Sequence, residues 1–281
     1  MEFSTPDGED RYAALVAAAA TAVIGLDFDG TLSPIVDDPD QAAIHPDAAE
    51  VLTGLADVVA AIAVITGRPA RQALALGDLD EVGSQIGADG KELHIFGQYG
   101  NERWSSTQRR IVSPRPPQGL SSFLGALPAL LRRHDAADAF VEQKGLAVAV
   151  HTRRLDDPSG AFERLLPPIR DLASKHALMV EPGRHVIEVR APGMDKGRVV
   201  RTLVEEVPAG AFLFAGDDLG DVEAFEAVVE LRREGMPTLL VCSGSDEQRA
   251  LAELADVVVD GPDGVLALLR QLTADAKADS P

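Results

Sequence analysis

The sequence predicts an α/β protein with an open parallel sheet, and three observations carry that prediction. Short apolar runs at 21–26, 61–65, 211–215, 237–242 and 255–259 are continuous rather than alternating, the texture of strands buried on both faces. Most of them leave through a polar or glycine-bearing exit into a stretch with helical spacing, which is the rhythm of βα units. Across about 107–190 the rhythm changes to strands that turn back on one another, so a second α/β domain is expected there as an insertion.

Taken in order, residues 11–20 read as an alanine-rich helix leading into the first strand. The apolar stretch 13–26 is too short to span a bilayer, and Glu2, Asp7, Glu9 and Asp10 precede it where a secretion signal would carry bases. The first strand exits in Asp27-Phe28-Asp29-Gly30-Thr31. Side chains at i and i+2 of a strand share a side, so Asp27 and Asp29 are expected to face one site, where two carboxylates repel unless a cation lies between them or one is protonated. Gly30 permits the sharp turn that follows.

Apolar residues at 49, 51, 52, 55, 58 and 59 predict an amphipathic helix within 46–59. The strand 61–65 ends in Thr66-Gly67-Arg68-Pro69 and then helix-forming sequence, a helix start whose free N–H groups are a ready anion site. A strand at 93–96 enters the polar, glycine-bearing segment 97–104, with Trp104 read as hinge packing, and Pro114, Pro116 and Pro117 mark a linker.

The insertion then reads helix (120–133), two strands turning at Lys144-Gly145, helix (160–176), and two strands about a turn at 182–184: αββαββ. The first texture returns at 191–197, opening a helix to about 206. The strand 211–215 exits in Gly216-Asp217-Asp218-Leu219-Gly220-Asp221. Two more strands, a helix at 264–272 and a frayed polar tail at 275–281 complete the expectation.

The whole is therefore a Rossmann-like parallel-sheet core, 1–106 with 191–281, carrying a second domain at 107–190.

Charge narrows the function. The chain of 281 residues has 26 basic and 45 acidic residues, a formal net charge of −19. Such a field repels nucleic acid and anionic membranes, and an anionic small substrate would need a local cation or a clustered Lys/Arg pocket. Cys242 is the single cysteine, which excludes an intrachain disulfide and a zinc–thiolate cluster and suits a reducing, cytoplasmic setting.

In an open parallel sheet, sites gather beyond the carboxyl ends of the strands. Asp27, Asp29, Thr66, Lys196, Asp217, Asp218 and Asp221 are each expected near such an end or the following helix start. Several acids, a lysine and a hydroxyl suit Mg²⁺ with a phosphate opposite it. Asp27-Phe-Asp29-Gly-Thr31, Thr66-Gly-Arg68, Lys196-Gly197 and Gly216-Asp217-Asp218-x-x-Asp221 resemble, in order, the four motifs of the haloacid dehalogenase-like hydrolase superfamily. The insertion resembles the α/β cap domain of its sugar-phosphate phosphatases. Gly97-Gln-Tyr-Gly-Asn-Glu102, Val141-Glu142-Gln-Lys144 with His151-Thr-Arg153, and the run Glu188–Gly197 resemble those of the trehalose-6-phosphate phosphatases.

That resemblance implies an Mg²⁺-dependent hydrolase acting through an aspartyl-phosphate. Asp27 would be the nucleophile and Asp29 the acid and base, with Thr66 and Lys196 holding phosphoryl oxygens. Asp27, the Asp29 carbonyl and Asp217 would hold the metal, with Asp218 or Asp221 assisting it or positioning Lys196. Arg68, Glu142, Lys144 and Glu188 would join the substrate-binding set. It also leaves open another sugar or pseudo-disaccharide phosphate as substrate, a non-catalytic sugar-phosphate-binding regulatory protein, and a non-covalent synthase partner. The chain departs from the family pattern at Thr152, where tyrosine is usual, and at Gly220, where threonine usually precedes the last acid.

Overall fold

The computed structural model describes residues 2–36, 38–88, 90–183, 185–193, 195–244 and 249–279. The chain divides into two compact units, 1–113 with 195–281, and 114–194.

The elements follow in chain order. A short strand β1 (Glu2–Phe3) and helix α1 (Gly8–Ala17) precede β2 (Ala22–Leu26), α2 (Ala48–Ala56), β3 (Ala61–Ile65), α3 (Ala70–Gly77), α4 (Leu79–Ala88), β4 (Glu92–Gly97) and β5 (Glu102–Ser105). The second unit is α5 (Leu120–Arg133), β6 (Phe140–Gln143), β7 (Ala147–His151), α6 (Pro158–Lys175), β8 (Met179–Gly183) and β9 (Val186–Arg190). The first unit resumes with α7 (Lys196–Glu206), β10 (Ala211–Gly216), α8 (Val222–Arg233), β11 (Thr238–Gly244), α9 (Arg249–Leu254), β12 (Val257–Asp260) and α10 (Gly261–Asp279).

Among the described residues the first unit holds an eight-stranded sheet of order β1-β12-β11-β10-β2-β3-β4-β5. Its interior ladders are parallel, and β1 and β5 are antiparallel edges. The period of two sorts each central strand onto two cores. Ile24, Leu26, Ile62, Val64, Leu213 and Ala215 pack with α1, α2, α4 and α10 on one face. Val23, Ala63, Ile65, Phe212 and Phe214 pack with α7, α8 and α9 on the other. Both faces being covered is why these strands read as unbroken apolar runs. From β2 the chain steps outward through β3 and β4 on one side, and the later strands extend from β10 on the other. The reversal therefore falls between β2 and β10, the kind of place where open α/β sheets build their sites.

The second unit is an antiparallel sheet, β6-β7-β9-β8. Val148, Val150, Ile187 and Val189 face α5 and α6 in one apolar cluster with Phe123, Leu127, Leu165 and Ile169.

Three expectations are corrected. Residues 275–279 are not a frayed tail: α10 runs to Asp279, Ala276 is buried, and the Tyr12 hydroxyl donates to Asp275 at 2.7 Å. Residues 280 and 281 lie outside the described residues. Trp104 is not hinge packing; it is a buried member of the first core, on β5, a strand that its polar, glycine-bearing neighbourhood concealed. The expected turn at 182–184 is displaced, because β8 runs through Pro182 and Gly183; residue 184 lies outside the described residues.

In the first unit a buried carboxylate ties α1, α8 and β11 together. Asp256, fully buried, accepts from Arg232 of α8 at 2.5 Å, from Arg11 of α1, and from the Leu240 amide at 2.9 Å. Arg11 and Arg232 are 28% and 23% exposed and can rehydrate; the amide cannot. Asp256→Ala is therefore expected to lower the unfolding free energy by about 3 kcal/mol, the scale for breaking a buried charged network. Urea unfolding reads this directly, and a loss no larger than that of an exposed ion pair, below about 1 kcal/mol, would contradict it.

Candidate active site

Asp27 is the first residue after β2, and its N–H donates to the carbonyl of Ala215 on β10. Gly216 ends β10 and Asp217 follows it, so the reversal point of the sheet presents two carboxylates at adjacent strand ends. A third acid, Asp221, closes the turn after β10: its Oδ2 accepts the amides of Asp217 and Asp218 at 3.0 and 3.2 Å. Lys196, the first residue of α7, donates from Nζ to Asp27 Oδ1 at 2.6 Å and to Asp221 Oδ1 at 2.7 Å. All four side chains are buried. Gly30 is required at its position: its φ is +74°, and a Cβ there would lie 2.1 Å from Asp217 Oδ2, so a side chain would displace that carboxylate.

The electrostatics are those of too many acids around one base. Burial pushes Asp27 well above the usual carboxylate range; Lys196 pulls it back, and Asp221, Asp218 and Asp29 add to the rise. Asp217 is pushed up to about 10 by burial and then by Asp27, Asp218 and Asp221, and Asp221 is raised by burial against the pull of Lys196. Burial alone would lower Lys196, but Asp221 and Asp27 outweigh it and hold the ammonium well above its ordinary value. The lysine is therefore charged, and the acids as a group are under-neutralised. Asp27, Asp217 and Asp221 each offer an oxygen within 4.8 Å of the others. A hard, all-oxygen donor set short of positive charge fits a divalent cation of the Mg²⁺ kind.

The remaining expected residues fall as follows. Thr66 leaves β3, the strand next to β2; it is buried, and its Oγ1 accepts the Arg68 amide at 3.1 Å. Asp29 is joined to Arg68 by two hydrogen bonds, 2.7 and 2.6 Å. Asp218 is turned to its own backbone, capping the Gly220 amide at 2.8 Å. In the second unit, ladder register sets Glu142, Ala149, Glu188 and Glu181 in one row across the four strands, on the sheet face opposite the apolar cluster. Lys144 Nζ donates to Glu188 at 2.7 Å, and His151 Nε2 lies 2.9 Å from Glu142. Glu188 is buried.

At the start of α3 the Ala70 amide is already taken: it donates to Glu102 Oε2 at 2.7 Å. Glu102 opens β5, just beyond the polar loop after β4, and that loop clasps the Thr66 segment: Tyr99 N–H donates to the Thr66 carbonyl, and Gln98 N–H to that of Arg68. Gly67 admits the Tyr99 ring, whose hydroxyl would lie 2.8 Å from a Cβ at that position. Sequence reasoning also missed Ser243, which donates to the Gly30 carbonyl at 2.6 Å from the end of β11; a lone serine at a strand end carries no signal of such a partner.

A three-layer core with acids at the reversal of its sheet, interrupted by an αββαββ unit, is the haloacid dehalogenase-like fold. It is shared with a haloacid dehalogenase-like hydrolase from Bacteroides thetaiotaomicron (14% identity, TM-score 0.59, covering 89% of this chain and 99% of that one). More similar is the trehalose-6-phosphate phosphatase C-terminal domain of Candida albicans, with TM-score 0.77 at 19% identity over 97% of this chain and 98% of that one. The chain belongs to the trehalose-phosphatase family, whose profile matches residues 25–107 and 131–258. Among curated proteins it is 33% identical over 248 residues to the trehalose-phosphate phosphatase of Mycobacterium avium, covering 82% of this chain and 56% of that protein. It is 34% identical over 236 residues to an uncharacterized glycosyl hydrolase of Mycobacterium tuberculosis, covering 79% of this chain and 17% of that protein. The chain thus spans from about a sixth to just over half the length of these relatives. No helix among the described residues is long and apolar enough to cross a membrane.

Proposed function

We propose that the chain is an Mg²⁺-dependent phosphatase that hydrolyses trehalose 6-phosphate to trehalose and phosphate. The observation that carries the reading is the buried Asp27–Lys196–Asp221 network with Asp217 beside it, at the reversal of the sheet, in a chain of this family.

Asp27 is the nucleophile. Its carboxylate oxygen attacks phosphorus, the bond to the sugar oxygen breaks, and an aspartyl-phosphate forms. Asp29 gives the departing sugar oxygen a proton, and then takes one from the water that hydrolyses the acyl phosphate, regenerating both acids. Lys196 and the Thr66 hydroxyl hold phosphoryl oxygens, and Asp221 keeps the lysine in place with two backbone amides bracing its other oxygen. Asp27, the Asp29 carbonyl and Asp217 would hold the Mg²⁺, with Asp218 and Asp221 supporting it, and the ion supplies charge neutralisation of the transferring phosphoryl group when bound. Residues 107–190 act as the specificity domain, with Glu142, Lys144 and Glu188 as hydrogen-bonding partners for sugar hydroxyls. A cytoplasmic setting and a non-covalent trehalose-6-phosphate synthase partner complete the reading.

The test is phosphate release from trehalose 6-phosphate beside a panel of other sugar and disaccharide-type phosphates, with Mg²⁺ and with EDTA. Release from trehalose 6-phosphate alone, lost with chelator and restored by Mg²⁺, is expected. Preference for another panel member would keep the chemistry and replace the substrate. An inert chain that still binds sugar phosphates would turn the reading toward a regulatory binding protein.

A further inference from the structure

We propose that Arg68 is a positioning residue for Asp29 and not a ligand of the substrate's phosphate. The inference rests on the phosphatase reading above and names a role within that site.

The guanidinium makes three hydrogen bonds to the protein itself. Nε donates to Asp29 Oδ2 at 2.7 Å, Nη2 to Asp29 Oδ1 at 2.6 Å, and Nη1 to the carbonyl of Pro39 at 2.8 Å. Its Cζ lies over the Phe28 ring, 5.6 Å from the centroid. The backbone of Arg68 is held as well, its amide by Thr66 Oγ1 and its carbonyl by the Gln98 amide. The side chain is 10% exposed, against 42% for Asp29.

Asp29 is the opposite case. It stands on a strand exit, and Arg68 is the one side chain among the described residues that hydrogen-bonds its carboxylate. A half-exposed carboxyl group with free torsions samples several orientations, and only some of them can give a proton to a leaving oxygen or, once ionised, take one from the attacking water. A planar fork that takes both oxygens fixes the carboxylate plane, which a lysine ammonium cannot do. The guanidinium, over the Phe28 ring and hydrogen-bonded to the Pro39 carbonyl, is the more tightly held member of the pair, and Asp29 is the member it orients. For Arg68 to grip phosphate it would have to abandon this arrangement.

The test uses Arg68→Lys and Asp29→Ala, singly and together, on two substrates. A sugar phosphate expels an alkoxide, which needs a proton. p-Nitrophenyl phosphate expels a stable phenolate, which does not. Arg68→Lys is expected to lower kcat on the sugar phosphate by about 10²-fold, the low end of what a positioned acid–base contributes. It should spare p-nitrophenyl phosphate, leave the inhibition constant of inorganic phosphate unchanged, and add nothing further when Asp29 is already alanine. Equal losses on both substrates with weakened phosphate inhibition would overturn the proposal, as would multiplicative losses in the double variant. If the unaltered chain hydrolyses neither compound, the phosphatase reading is what fails. The positioning role then fails with it, and calorimetric titration with inorganic phosphate still decides whether Arg68 is a phosphate ligand: weaker binding by Arg68→Lys overturns that half of the proposal, and unchanged binding upholds it.

Discussion

Asp27→Asn is expected to abolish phosphate release, by on the order of 10⁴-fold or more as for other lost nucleophiles, while leaving the metal-free fold at least as stable as before. An amide has no anionic oxygen to attack phosphorus, so the loss of rate follows from chemistry alone. The stability follows from the surroundings. Asp27 is held well above the usual carboxylate range, first by burial and then by Asp221, Asp218 and Asp29, with Lys196 offsetting part of the rise. A carboxyl whose folded pKa is raised contributes stability that is fully present below its unfolded pKa and is lost as pH rises through the folded value. Near neutral pH, in EDTA, ionising Asp27 therefore works against folding, and asparagine removes that cost while still accepting from Lys196. Lys196 loses one of two direct anions, but Asp221 remains bonded to it and Asp217 and Asp218 still act on it electrostatically, so relief of repulsion wins. A gain of roughly 1 kcal/mol, typical where an active site trades stability for function, should appear at pH 7 and vanish near pH 4. Retained turnover would remove Asp27 from the nucleophile's role, and a variant clearly less stable at pH 7 would mean the Asp27–Lys196 pair is a net stabiliser.

What the sequence made legible was set by repetition and by local chemistry. The central strands were readable because burial on both faces forces continuous apolar runs, and the acids were readable because each sits at a strand exit or helix start. The αββαββ order of the second unit was readable because Lys144-Gly145 and the alternation of β7 mark a hairpin. Strand β5 was not legible, since Glu102-Arg103-Trp104-Ser105 is short, polar and half-exposed and is stabilised by pairing with β4 rather than by propensity. The last turns of α10 were missed for a related reason: Asp275 and Lys277 look like tail residues until Tyr12, more than 260 positions earlier, supplies a partner. The site divides in the same way. That Asp27, Lys196 and Asp221 belong together was written in their motifs. That Asp221 braces Lys196 while Asp218 only caps Gly220 was not, because both acids suit a helix start and only the backbone path decides which one turns inward. The grip of Glu102 on α3 depends on two segments 32 residues apart, a separation no local rule reads.

Lys196→Met tests the other half of the electrostatic argument. Methionine nearly matches the length of the lysine stem and can fill the same buried channel, so the substitution removes charge with little change of packing. What remains is Asp27 and Asp221 with no cation between them and Asp217 alongside, all buried. Removing one partner of a buried ion pair costs roughly 3–5 kcal/mol when the survivors stay charged. Here they need not stay charged, because their pKa values are already raised by burial and rise further without the ammonium that pulls them down. The penalty is therefore pH-dependent, and its sign is fixed. It should be largest near and above neutral pH, where keeping the acids protonated or ionised in the folded state costs most, and should shrink as pH falls toward the ordinary carboxylate range and the unfolded chain protonates too. Unfolding of the variant and its parent in EDTA, compared at pH 5 and pH 8, should show a gap that widens with pH. Added Mg²⁺ should narrow the gap by supplying positive charge to the same acids. Turnover should not return with it: a preorganised donor to the phosphoryl group is missing, at a cost of about 10²–10³-fold. A gap that stayed constant with pH would mean that Lys196 contributes packing rather than charge, and the case for a cation among these acids would lose its electrostatic basis.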